Sequence, residues 1–275
     1  MTKSTLILIV ALLSLTLKLH GQSLGYSGPV SSSLAYVKVF DDSHWASLNN
    51  VANQAHVKSL SVGAAYQMRF NLSELSSRAA TAIVPSRFGS FSGLAMQSGF
   101  SKSNYNRYAV AYSRLFGNSI SAGFQFNYMN HQMQSADRAD AFYSAFGLGF
   151  KTTESIKVGV YIQNPEQSKL SYQDEAYALP TFFNGAIKYS IPHKFFAIFE
   201  LEKELEYDVV YKTAIQFSFN DKLFVRGGVR GKPVEITFGG GFQLVGLSID
   251  VGFSHHQQLG MTSGAGLAYS FKHKQ

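Results

Sequence analysis

From residue 58 onwards, apolar and polar side chains alternate along the chain in a series of strand-like segments. In N-S-I-S-A-G-F-Q-F-N-Y (118–128), Ile120, Phe124 and Phe126 point one way and the intervening serines, glutamine and asparagines point the other. This period of two is typical of a β-strand with two chemically different faces. The pattern predicts fourteen strands, at 58–70, 76–85, 89–99, 105–115, 119–131, 139–151, 155–163, 180–190, 194–203, 207–219, 222–231, 234–243, 246–256 and 262–272.

The apolar faces of these strands suit lipid better than a protein core. Most segments have about ten residues, the length that crosses a bilayer at a tilt, whereas strands of soluble proteins usually have about five or six. Glycine, alanine and serine dominate the polar faces, and only 15% of the chain is charged. A soluble domain averages roughly 25%. We therefore predict an all-β protein, a transmembrane antiparallel β-barrel of about fourteen strands.

The connections support a barrel of the outer-membrane type. Very short turns, P-S-R-F, F-G-N, T-T-E, I-P-H, N-D-K and L-V-G, occur at every other connection. The connections between them are predicted to be generally longer, and the longest is residues 164–179. Short turns on one rim and longer loops on the other are typical of these barrels. An even number of strands places both termini on the periplasmic, short-turn rim.

The first 21 residues have the features of a secretory signal peptide. Lys3 precedes a short apolar run, and Gly21 offers a small residue at the expected cleavage point. The alternative is a retained anchor, but the run is shorter than the roughly 20 residues that span a bilayer. We expect a cleaved signal peptide at 1–21, a plug segment at 22–57 and the barrel at 58–275, exported to the outer membrane of a Gram-negative cell.

Two patches resemble a known family. The stretch A-Y-V-K-V-F-D-D-S-H-W-A-S-L-N-N-V-A (35–52) resembles the N-terminal motif of barrels related to the long-chain fatty acid transporter FadL, which PorV and PorQ of Bacteroidetes type IX secretion share. L-P-T-F-F-N-G-A-I-K-Y (179–189) resembles the family's entry into a mid-barrel strand. Val51 stands where the family has proline. The resemblance implies fourteen strands and a plug folded into the lumen, with these motif positions: Asp41, Asp42, Trp45, Asn49, Asn50 and Ala52.

The sequence offers little that points to catalysis or metal binding. The chain has no cysteine, which excludes disulfides and thiolate chemistry. Asp41, Asp42 and His44 suggest a metal site, but we expect them to end a turn and hold the plug. No serine–histidine–acid motif stands out. The positive net charge of +7 is scattered, which argues against nucleic-acid binding. We therefore expect no enzyme activity, no cofactor and no metal.

Charged residues on the polar faces are the remaining candidates. Nine are expected to face the lumen: Arg107, Lys157, Lys188, Glu200, Lys212, Arg226, Arg230, Glu235 and Asp250. Both signs are present, so they suit a neutralising network that holds the plug. The alternative is a hydrophilic path or binding surface. Isolated charges beside an acyl chain are costly, which argues modestly against a fully apolar tunnel.

Two functions from different classes follow. The first, preferred from the sequence, is an accessory component of type IX secretion that contacts translocon subunits or exported proteins. The second is a FadL-like transporter of hydrophobic small molecules, in which the partner is a hydrophobic ligand. Mostly short outer loops and a polar longest loop favour the first. A barrel with a role confined to its own lineage is a third possibility. In every case the outer-membrane lipid surrounds the barrel.

Overall fold

The protein is a closed antiparallel β-barrel of fourteen strands. The structure, a computed structural model, describes residues 26–134, 136–172, 175–231 and 233–271. Consecutive barrel strands pair with each other, and the first pairs with the last to close the wall. The all-β barrel predicted from the alternation is confirmed. The predicted signal peptide lies outside the described residues.

Within the described residues, a two-stranded hairpin and three short helical segments accompany the barrel. The strands are β1 Ser61–Arg69, β2 Leu72–Ser86, β3 Gly89–Phe100, β4 Ser103–Phe116, β5 Ile120–Met133, β6 Ala136–Lys151, β7 Ile156–Gln163, β8 Lys169–Tyr172, β9 Glu175–Ala178, β10 Phe182–Ile191, β11 Phe195–Glu204, β12 Val210–Phe219, β13 Leu223–Arg230, β14 Glu235–Leu244, β15 Leu247–His256 and β16 Gly260–Ser270. Helix α1 is Gly28–Ser33, and 3-10 turns cover Ala46–Leu48 and Val51–His56. None of these described helices is long and apolar enough to cross a membrane.

The two faces of the wall differ as the alternation predicts. Phe124, Phe126 and Phe146 are exposed on the outer face, and the rings of Phe124 and Phe146 pack across the β5–β6 pair. Gln125 and Asn127, between them in sequence, are buried on the lumen face. Large apolar side chains cover the outer face of most other strands as well. Because hydrocarbon is the solvent that favours such a surface, the wall faces lipid.

The rim opposite the termini differs from the prediction. Connections there were expected to be generally longer, but β1–β2 and β3–β4 are joined by only two residues each, 70–71 and 101–102. Strands β2 to β6 have 12 to 16 residues. They are longer than predicted and include residues that were expected to form loops. Only the connection 164–181 is long. We call this rim, opposite the termini, the outer rim.

The long connection contains a hairpin that the sequence analysis missed. Strands β8 and β9 pair with each other and not with the barrel. Leu170 of β8 packs with Ala139, Ala141 and Tyr143 on the lumen face of β6, next to Leu179. The hairpin therefore covers the lumen on the β5–β6 side of the outer rim.

Candidate functional site

Residues 26–57, which we call the plug, fill the lumen. Helix α1 packs against β14, β15 and β16, whereas the second 3-10 turn packs against β4, β5 and β6 on the opposite wall. Most plug side chains are buried, including Trp45 and Val51, which have no exposed surface, whereas Asp42 and His56 are exposed. The plug thus bridges the barrel from wall to wall, and the residues that anchor it form the candidate site.

Close packing of the plug depends on wall positions without a side chain. A Cβ atom added to Gly266 would lie 2.6 Å from the ring of Trp45, and one added to Gly123 would lie 2.6 Å from the backbone nitrogen of Ala52. Both distances are shorter than side-chain contacts allow. The glycines that make the lumen faces look so small are therefore the surfaces on which the plug rests.

Asp41 and Asn49 of the N-terminal motif organise the plug itself. The carboxylate of Asp41 accepts hydrogen bonds from the backbone and hydroxyl of Ser43 and, at 2.9 Å, from the side-chain amide of Asn49. Asn49 also donates to the carbonyl of Ser27 at 2.8 Å. Burial raises the pKa of Asp41 although these bonds oppose the rise. Both residues tie distant parts of the plug together.

Asp42 joins the plug to the wall near the termini. Its carboxylate lies 2.8 Å from the ammonium of Lys188 and 3.6 Å from that of Lys157. Burial alone would raise the pKa of Asp42, but the two ammonium groups outweigh it and lower that pKa. His44, two residues on, lies 3.4 Å from the hydroxyl of Ser248. Among the described residues no group of three or more acids and histidines is arranged to hold a metal.

Trp45 contacts a second wall charge. Its indole nitrogen donates to Asp250 at 3.3 Å, and the other carboxylate oxygen of Asp250 accepts from Arg226 at 2.7 Å. Arg226 also donates to Gln216 at 2.7 Å. Trp45, Asp250 and Arg226 are buried, whereas Gln216 is partly exposed. Asp250 is therefore neutralised by Arg226 while it holds the largest side chain of the plug.

Asn50, Val51 and Ala52 begin the second 3-10 turn. Asn50 caps it by accepting from the backbone amide of Ala52 at 3.0 Å, and it donates to the carbonyl of Val39 at 3.1 Å. Val51 is the first residue of the turn. Because proline suits that same position, the departure from the family motif leaves the turn intact.

A cluster of four buried charges holds the middle of the plug. Lys212 lies 3.1 Å from Glu200 and 2.8 Å from Glu202, and Lys38 of the plug lies 3.0 Å from Glu202. Glu200 also accepts from the backbone amides of Lys38 and Val39 at 2.9 Å. Lys212 donates to the plug carbonyl of Tyr36 at 2.8 Å. Each charge thus has a partner, as burial requires.

The structure places all nine predicted charges on the lumen face. Arg230 lies beside Glu202 and Glu235, each at 3.9 Å, and completes the network around the charge cluster. Glu202 was not among the predicted lumen charges, although it follows Glu200 by two residues and so shares its face. It also omitted Lys38, because a strand pattern says nothing about the plug.

A pocket lies between the plug, the wall and the β8–β9 connection at the outer rim. It is a narrow cavity of about 30 Å³, and apolar side chains supply about half of its lining: Tyr26, Leu48, Met129, Tyr143, Leu179 and Phe182. Polar groups of Lys38, Asn49, Gln163 and Asn164 converge on it. Apolar side chains with placed polar groups are typical of small-molecule sites, but this cavity has room for only about one or two water molecules and must widen to admit a larger ligand.

Arg107 is the lining residue with unusual electrostatics. Its guanidinium is buried and donates to the neutral side chains of Asn127 at 2.9 Å and Gln125 at 3.0 Å. The ring of Tyr143 lies 5.9 Å away. It makes no ion pair with a described carboxylate, unlike Arg226 and Lys212. Arg107 therefore brings an uncompensated positive charge to the pocket, the one predicted lumen charge that lines it.

Comparisons with known proteins show similarity in structure only. No family model and no curated protein matches the sequence. A TodX deltaS2S3 mutant monoaromatic hydrocarbon channel superposes with a TM-score of 0.70 at 10% identity, over 90% of this chain and 99% of that one. The Ralstonia pickettii toluene transporter TbuX gives 0.68 at 10% over 91% and 100%.

A Pseudomonas aeruginosa FadL homologue gives a TM-score of 0.63 at 10% identity, over 90% of this chain and 98% of that one. At 10% sequence identity, this structural similarity establishes the fold alone. The chain therefore has the β-barrel fold of FadL-type outer-membrane channels.

Proposed function

We propose that the protein is an outer-membrane channel that binds hydrophobic small molecules at the outer mouth of its lumen and passes them inward. The pocket beneath the β8–β9 connection carries this proposal, because it sets apolar side chains beside one uncompensated cation, Arg107, and ligand entry requires this narrow cavity to widen. The fold supports it, since TodX and TbuX are described as hydrocarbon and toluene transporters. The preferred ligand is amphipathic, with an acidic group for Arg107.

The features that favoured a secretion role carry less weight once the contacts are considered. The polar connection 164–179 includes Leu170 and Leu179, which pack into the lumen mouth, while Tyr177 on the same connection is exposed. Most lumen charges hold the plug, so they leave room for an apolar ligand elsewhere. The motif residues Asp41, Trp45 and Asn49 are buried in plug contacts and expose no surface to a protein partner.

The accessory role in type IX secretion stays a prediction from the resemblance at 35–52. Co-purification of secretion subunits with the protein, in stoichiometric amounts from its native membrane, would support that role.

Ligand binding to the purified full-length barrel tests the proposal. We would titrate dodecanoate and dodecanol, which differ in the acidic group, into the wild type, Leu179→Trp and Leu205→Trp. Leu179 lines the pocket, whereas Leu205 is exposed on the β11–β12 connection and serves as the control. We expect Leu179→Trp alone to abolish binding. Unchanged binding in Leu179→Trp, or no binding by the wild type, would count against the pocket.

Arg107→Gln tests the acidic group separately. A buried charge-assisted hydrogen bond contributes about 1.5–3 kcal/mol, which corresponds to roughly tenfold or more in affinity. We expect that loss for dodecanoate and little change for dodecanol. Equal losses for both ligands would mean that Arg107 shapes the pocket without recognising an anion.

A further inference from the structure

Strands β3 and β4 make no hydrogen bond to the plug, although they lie between two strands that do. Thr81 on β2 donates to the backbone carbonyl of His44 at 3.2 Å, and Gln125 on β5 donates to that of Ser47 at 2.8 Å. Among the described residues, no hydrogen bond or ion pair joins the plug to β3 or β4. We call the lumen face of β3 and β4, together with the plug surface opposite it, the unbonded sector.

Polar atoms on both sides of the unbonded sector lack a partner among the described residues. The hydroxyls of Ser92 on β3 and Ser113 on β4 are buried and unpaired, and so is the hydroxyl of Ser47 in the plug. Gln54 belongs to the second 3-10 turn, which packs on β4 and β5, and both polar atoms of its side chain are unpaired. Buried polar atoms nearly always bond to protein or to ordered water, so water is the partner left for these side chains.

The pairing register places the unpaired hydroxyls of the wall beside the plug. Ser92 pairs with Ala111, which pairs in turn with Gln125, the residue that binds the backbone of Ser47. Ser113 follows Ala111 by two residues and so lies on the same face of β4. Water held in this small region bridges the plug to the wall, and a ligand group that forms the same hydrogen bonds can displace it.

The other side of the plug is fixed to the wall directly. Glu200 on β11 accepts from the backbone amide of Val39 at 2.9 Å, and Thr237 on β14 accepts from that of Ala35 at 2.8 Å. A segment with few direct bonds to its surroundings opens at a lower free-energy cost than one with many. The plug therefore separates from β3 and β4 more readily than from β11 and β14.

The unbonded sector continues inward from the ligand pocket. Arg107, which lines the pocket, is followed on the lumen face of β4 by Ala109, Ala111 and Ser113 in the direction of the periplasmic rim. Leu48 of the plug also lines the pocket and belongs with Ala109 to one cluster of buried apolar residues. Beyond the arginine, no lumen-facing side chain of β4 as far as Ser113 is larger than serine.

We propose that the ligand passes from the pocket to the periplasm between the plug and strands β3 and β4. The acidic group of the ligand displaces the bridging water and accepts hydrogen bonds from the hydroxyls of Ser92 and Ser113, while the alanines of β4 leave room for its apolar chain. The plug moves away from β3 and β4 and stays attached to the opposite wall through residues 35–39. This route rests on the proposed transport and specifies the side of the plug that opens.

Cysteine labelling of the full-length protein tests this route, because the chain has no cysteine of its own. The variants are Ser113→Cys in the unbonded sector and Ala214→Cys on β12, next to the directly fixed side of the plug. Both side chains are at most 1% exposed, so a reaction at either position reports opening. Purified barrels are treated with the thiol reagent 2-sulfonatoethyl methanethiosulfonate in the presence of dodecanoate, and mass spectrometry measures the labelled fraction over time. The heat-dependent gel shift of a closed barrel verifies that each variant is folded.

We expect Ser113→Cys to react at least about tenfold faster than Ala214→Cys, because labelling of a buried thiol follows the population of the open form. In cells that make Ser113→Cys, the same reagent should lower dodecanoate uptake several-fold, and a reducing agent should restore it. Cells that make Ala214→Cys or the cysteine-free wild type should keep their uptake under the same treatment.

Equal reaction rates of the two variants, or uptake that labelling of Ser113→Cys leaves unchanged, would overturn the route while wild-type uptake still supports transport. Absence of uptake by folded wild-type barrels would instead overturn the proposed function, and the route with it.

Discussion

The carboxylate of Glu200 on β11 accepts a hydrogen bond at 2.9 Å from the backbone amide of Val39 in the plug. Side chains are thus used to hold a plug backbone that forms no sheet with the wall. Glu200 has no exposed surface and needs Lys212 to neutralise it. The charges of the lumen therefore act mainly as anchors, which separates them from the ligand pocket at the outer rim.

Loss of the Glu200 anchor should release the plug. Removing one partner of a buried ion pair costs about 3–5 kcal/mol, because the other charge stays buried. We expect Glu200→Gln to raise the ion conductance of single barrels in planar bilayers. Glu235→Gln is the control, since its partner Arg230 is 3.9 Å away and partly exposed. Equal conductance in Glu200→Gln and wild type would show that the anchor is dispensable.

The lumen-facing glycines give a second prediction. An added methyl group at Gly123 meets the backbone of the plug at Ala52, and overpacking costs about 1–3 kcal/mol. Gly123→Ala should therefore make the plug more accessible to protease in folded barrels. Gly185→Ala, where the added group contacts nothing within 4 Å, should behave like the wild type. Indistinguishable digestion of the two variants would contradict a tightly packed plug.

His44 gives the plug a dependence on pH. Burial lowers the pKa of His44, against the opposing effect of Asp250, so the docked plug favours the neutral ring. The released plug takes up a proton near the ordinary histidine pKa of about 6.5. Plug docking should therefore weaken as the pH falls below that value, and it should be fully stable above it.

Hydrogen exchange of the plug amides between pH 7 and 5, corrected for intrinsic rates, measures this effect. We expect protection to fall with pH in the wild type and to fall less in His44→Gln. The same pH dependence in both would assign it to other groups.

The sequence predicts the wall well and the interior poorly, for a physical reason. The alternation reflects two environments, lipid outside the barrel and a crowded lumen inside. The side-chain types of Phe124 and Gln125 therefore indicate which face of the wall each residue occupies, without information on distant contacts. The β8–β9 hairpin was missed because its strands have only four residues each, too short to show a clear alternation, and Leu170 packs against β6 through a contact distant in sequence. Contacts such as Lys38 with Glu202 join residues far apart in the chain, and no local pattern encodes them.

The absence of distant contacts from the local pattern also explains why the preferred function changed. From the sequence, lumen charges suited a neutralising network, and they argued modestly against an apolar passage because an isolated charge beside an acyl chain is costly. The structure gives Glu200, Lys212 and Asp250 partners and leaves Arg107 beside an apolar pocket. Pairing, which decides the cost of a buried charge, depends on three-dimensional neighbours.

Uptake by living cells tests the proposed transport most directly. Gram-negative cells without a fatty-acid channel of their own would make the wild type, Leu179→Trp or Leu205→Trp, and entry of radiolabelled dodecanoate would be followed. We expect uptake above the empty-vector level for the wild type and Leu205→Trp, and uptake near that level for Leu179→Trp. Vector-level uptake by cells with folded wild-type barrels, or equal uptake by both variants, would contradict the account.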